Sequence, residues 1–109
     1  ELKHGPLALI EKNIPVIALA PYDSNFSKIL SNIQEIKARG GKIIMITDDE
    51  GSKKAKRYCD QVLLMPKTNF LTSPIIYSIP IQLIAYYLAV KLKTDVDQPR
   101  NLAKSVTVE

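Results

Sequence analysis

The sequence predicts an α/β chain: a three-layer α/β/α sandwich on a parallel sheet, present as a partial domain. Three observations carry this reading. Residues 14–20, 42–47 and 61–64 form short apolar runs of strand length, and the segments between them have helical character. The first of those segments repeats its apolar residues at Ile29, Leu30, Ile33 and Ile36, the spacing of one helix face. At 109 residues the chain makes one small domain at most. Strands joined through helices lie parallel, with the helices laid on the sheet faces. Three strands are few for a sheet, so the first strand and helices of such a domain are expected upstream of Glu1.

Residues 14–20, rich in Ile and Val and bounded by Asn13 and Pro21, fit a buried parallel strand. Ser24 is the expected cap of the next helix, which the pair Gly40 and Gly41 stops. A second buried strand is expected over 42–47, a short polar helix over 51–58, and a third strand over 61–64 that ends before Pro66. Ser73 is placed to cap a final helix with Pro74 at its first position. Pro80 is expected to kink that helix, while Ile79, Leu83, Tyr86, Tyr87 and Val90 pack inward. Residues 91–93 then release a tail.

Composition excludes several function classes. With 46% hydrophobic and 24% charged residues, the chain reads as soluble, globular and intracellular, and its single cysteine, Cys59, can form no internal disulfide. Residues 68–90 carry no charge and are long enough to span a bilayer. Pro74, Pro80, Ser73, Ser78 and Gln82 raise the insertion cost, and the tyrosines suit a packed interior, so the expectation is a buried helix and no membrane. No basic segment followed by a short apolar run opens the sequence, so no secretory signal is visible in it. The net charge of +4 and the cluster Lys53, Lys54, Lys56 and Arg57 lack the aromatic interleaving of a nucleic-acid surface, and a solvated helix face is expected instead.

In open parallel sheets, ligands bind beyond the carboxyl ends of the strands. The loops after Ala20 and Thr47 lie there, but neither is a serine-rich phosphate cradle, and Asp48, Asp49 and Glu50 repel phosphate. The phosphate site is therefore expected elsewhere. His4, the single histidine, precedes Gly5 and Pro6 in a turn that leaves its ring accessible for acid-base work; on residue type alone a structural or exposed histidine is the commoner case. Glu1 and His4 make a weak metal pair, having no third ligand.

The last fifteen residues break the apolar pattern, with Pro99 fixing φ and Asp97, Gln98, Arg100 and Asn101 interrupting any stripe. A solvated end is the ordinary reading. The alternative is an ordered end that places the amine of Lys104, between Ala103 and Ser105, in a pocket where desolvation lowers its pKa. The string Asp95-Val-Asp-Gln-Pro-Arg-Asn-Leu-Ala-Lys-Ser-Val-Thr-Val-Glu109, with Glu1-Leu-Lys-His-Gly-Pro-Leu-Ala-Leu-Ile10, resembles the carboxyl end of the isomerising glutamine-fructose-6-phosphate aminotransferase family.

That resemblance covers the whole chain and implies the later part of a second sugar isomerase (SIS) subdomain over residues 1–93, followed by an active-site tail over 94–109. The implied activity converts fructose 6-phosphate and glutamine into glucosamine 6-phosphate and glutamate without metal or organic cofactor. Lys104 and His4 are the implied catalytic residues: Lys104 forms an imine with the open-chain ketose, and His4 opens the ring in the neighbouring subunit's site. Ala103 contributes a backbone carbonyl to the sugar. The isomerisation base is not Glu1; it and the phosphate-binding residues are expected upstream. Implied partners are fructose 6-phosphate, glutamine-derived ammonia, the glutaminase domain and first SIS subdomain of the same enzyme, and a second copy, in the cytoplasm. The fragment alone is expected to be inactive. A phosphosugar isomerase, or a non-catalytic SIS module that binds phosphosugars and regulates a partner, is the alternative.

Overall fold

The computed structural model describes residues 2–97, which divide into two compact units between Tyr77 and Ser78. Lys104, Ala103 and Glu1 lie outside the described residues. Three parallel strands form the first unit's sheet in the order β1 (Pro15–Leu19), β2 (Lys42–Thr47), β3 (Gln61–Leu64). Pro15 pairs with Lys42 and Leu19 with Ile46 across the first ladder, and Ile44 with Gln61 and Thr47 with Leu64 across the second. All three strands fall on the expected runs. The central strand is the most deeply covered, with Ile43, Met45 and Ile46 fully buried.

The crossovers are α1 (Phe26–Ala38) and α2 (Asp49–Ala55), the latter tightening into a 3₁₀ turn over Lys56–Tyr58. Phe26, Ile33 and Ile36 of α1 and Ala55 of α2 build the core with Ile43 and Met45, and Val16, Ala18 and Val62 pack against it. Side chains alternate across a strand, so Ile17, Leu19 and Leu63 point to the opposite sheet face, where they are exposed. The parallel sheet with helical crossovers is as expected; full burial of the outer strands is not, because α1 and α2 contribute to a core on one face.

Local chemistry moved the helix caps. The residue preceding α1 is Asn25, with no side-chain cap, and it is Asp23, not Ser24, that turns the chain there by accepting from the Asn25 amide at 2.7 Å. At the other end Gly40 has φ +83°, donates to the Lys37 carbonyl and lets Gly41 donate to that of Ile36, a Schellman stop. α2 starts at Asp49 rather than Gly51, because Asp48 is extended and its Oδ1 accepts from the Gly51 amide at 3.0 Å. Asp49 and Glu50 suit its positive end, and both pair with Lys53. Lys54 lies over the Tyr22 ring and Arg57 over Tyr58. The basic cluster is thus engaged locally on a helix surface, as expected.

The final helix, α3 (Ser73–Leu92), crosses the boundary between the units. Asn69 rather than Ser73 organises its approach, its Oδ1 accepting from the Leu71 and Thr72 amides at 3.0 and 2.9 Å. The helix runs through Pro80 as one element. The expected inward packing does not occur: Ile79, Leu83, Tyr86, Tyr87 and Val90 are all about half exposed or more. The helix is apolar all round, with no polar face to give to water, so one neighbouring surface cannot cover it. By length and composition alone, with a mean hydropathy of 1.6, it is able to cross a membrane. It ends where expected: Lys93 adopts φ +56°, and it and Thr94 donate to the Val90 and Ala89 carbonyls, a second Schellman stop.

Candidate functional site

The carboxyl ends of β1 and β2 are the ligand-binding edge of a sheet of this kind. Here they are braced. Thr47, fully buried at the end of β2, donates through Oγ1 to the Ala20 carbonyl at 2.5 Å, and the Ala20 amide donates to Ile46. Asp48, also buried, bridges both loops: Oδ2 accepts from the Tyr22 amide at 2.9 Å while Oδ1 caps α2. Tyr22 packs its ring edge against Phe26, with centroids 5.1 Å apart. One amide of each loop, Tyr22 and Gly51, is therefore committed to the Asp48 carboxylate. The signal for this was in the sequence: an aspartate three residues before a glycine at a strand end is a helix-cap pattern. Reading Asp48 only as a charge that repels phosphate missed it.

Tyr77, on the first turns of α3, is buried at 3% exposure, and its hydroxyl has no hydrogen-bond partner among the described residues. Burial, followed by the charges of Asp48 and Asp23, pushes the phenol up to about 12, against the pull of the Asp48 backbone. The group is a neutral phenol throughout the physiological range. Its burial is as expected of a tyrosine in this helix, whereas Tyr86 and Tyr87 are exposed; no sequence pattern marked the neighbours of its hydroxyl.

His4, the one sequence-predicted site residue among the described residues, stands apart from this edge. His4 closes an exposed 3₁₀ turn, Leu2–His4, with Gly5 next to it. That turn is held by the Lys3 ammonium, 2.5 Å from Glu35 in the second half of α1, whereas the Asp48 loops abut Phe26 at the start of the same helix. His4 is thus presented on an accessible surface, as expected, and not gathered into the carboxyl edge. Among the described residues no cluster of three His, Cys, Asp or Glu side chains could hold a metal ion. Cys59 packs structurally: its thiol donates to the Ala55 carbonyl and touches the Met45 sulfur at 3.7 Å, and burial raises its pKa. Asp60 beside it ties α1 to the sheet, accepting from the Lys37 ammonium at 2.9 Å and the Ile43 amide at 2.8 Å. Lys37 foremost, then the amide, hold this carboxyl below the usual aspartate range.

Comparison with known proteins extends the picture to the ends. Over all 109 residues the chain is 57% identical to the isomerizing glutamine-fructose-6-phosphate aminotransferases of Mesorhizobium japonicum and Zymomonas mobilis, and it spans 18% of the length of each. A solved structure, the C-terminal domain of glucosamine-fructose-6-phosphate aminotransferase from Francisella tularensis, superposes with a TM-score of 0.82 at 43% identity, covering 90% of this chain and 28% of that one. The SIS domain model matches residues 1–92. The chain belongs to the SIS domain family.

Proposed function

We propose that this chain is the carboxyl-terminal part of the isomerase domain of an enzyme that makes glucosamine 6-phosphate and glutamate from fructose 6-phosphate and glutamine. The observation that carries the reading is similarity to isomerizing aminotransferases along the entire chain, His4 and the tail included. The carboxyl edge is consistent with it, because Asp48 places a buried carboxylate on one amide of each loop there and leaves the sugar phosphate to the rest of the enzyme.

In this reading residues 1–93 are the later part of the second SIS subdomain and 94–109 an active-site tail. His4 relays the proton that opens the cyclic ketose, in the site of a partner subunit. Lys104 attacks the exposed C2 carbonyl; loss of water gives an imine, and ammonia from glutamine then displaces the lysine amine. Transfer of a proton from C1 to C2 completes the aldose and falls to a base outside this chain. Ala103 offers its carbonyl to a sugar hydroxyl. The enzyme works in the cytoplasm, as a dimer or larger assembly that includes a glutaminase domain, with no metal or organic cofactor.

The test is borohydride reduction of the complete enzyme with fructose 6-phosphate, followed by peptide mapping. A reduced sugar adduct is expected on Lys104 and none in Lys104→Arg. An adduct confined to another lysine removes Lys104 from the role.

A further inference from the structure

We draw no further inference here: the strongest candidate, the groove of about 280 Å³ between α2 and β3 lined by Ser52, Lys56, Cys59, Asp60 and Gln61, sets one lysine against a carboxylate and the carbonyl end of a short helix, and nothing in the structure shows what would fill it.

Discussion

Gly51→Ala sets two opposing effects against each other at one atom. In an exposed helix the exchange stabilises by about 1 kcal/mol, since alanine is the better helix former. At position 51 the added Cβ would sit within 2.9 Å of the Phe26 ring and far closer to Thr47 Oγ1, both buried. Thr47 can escape only by giving up its bond to the Ala20 carbonyl, which leaves buried polar atoms unpaired at a cost of about 1–3 kcal/mol. If it stays, overpacking costs a similar 1–3 kcal/mol. The overlap with Thr47 is severe enough to put the cost in the upper part of that range, about 2–3 kcal/mol, so after the propensity gain a net loss of about 1–2 kcal/mol is expected. Native-state hydrogen exchange of the complete enzyme reads this locally, which a global melting curve of a multidomain protein does not. The α2 and β2 amides are expected to exchange roughly 5- to 30-fold faster. Adding Thr47→Ala removes the obstructing oxygen, so the double variant is expected to lose less than the two single losses combined. Unchanged or slower exchange in Gly51→Ala would refute the packing argument.

Three further outcomes are expected. The Asp60 pKa is depressed in the fold, so the stability it contributes is present above the unfolded value of 3.8 and lost as pH falls through the lower folded one; Asp60→Asn should flatten the acid limb of local stability around α1 and β2, and an unchanged limb speaks against the Lys37 clamp. Tyr77 is shifted the other way, its contribution complete below its unfolded value of 10.0 and lost as pH rises through about 12. Because its hydroxyl has no partner among the described residues, Tyr77→Phe should be neutral or stabilising by up to about 1 kcal/mol while removing that alkaline limb; a clear loss in exchange protection of the β2 amides at neutral pH would mean the hydroxyl has a partner after all. Under the proposed function, His4→Ala slows use of the cyclic ketose far more than of an open-chain analogue, and equal slowing in steady-state assays removes His4 from ring opening.

The strands were legible because their signal is local: an Ile and Val run of five or six residues between turn residues needs no knowledge of the rest of the chain. Gly40 was legible for the same reason, since few other residues accept its φ. The caps were not. Ser24 and Ser73 have the right chemistry, but Asp23, Asp48 and Asn69 turn the chain through amides two or three residues on; several residues able to cap compete within one short segment, and residue type alone does not choose among them. Asp48 and Tyr77 show the limit most clearly, because their significance lies in tertiary neighbours 26 or more residues away: Tyr22 for the carboxylate, Asp48 and Asp23 for the phenol. The apolar content of α3 was readable, but which of its sides finds cover was not, as a helix without a polar stripe encodes no direction.

Together these features assign the labour within the segment. The buried interactions at the carboxyl edge of the sheet tie its parts to one another: Thr47 to Ala20, and Asp48 to Tyr22 and Gly51. These bonds brace the two loops against each other and engage the Tyr22 and Gly51 amides. Of the catalytic residues that the family resemblance implies, His4 is the one among the described residues, and it lies outside this edge. His4 stands on a turn fixed to α1 through Lys3 and Glu35, which positions an exposed imidazole without burying it. Lys104 follows a helix stop, at Lys93 and Thr94, that ends α3 by backbone hydrogen bonds of its own and so fixes where the tail begins. In the proposed enzyme the parallel sheet is therefore a mount for the turn that carries His4, and substitutions within it should act by displacing that turn, not by removing contacts to sugar.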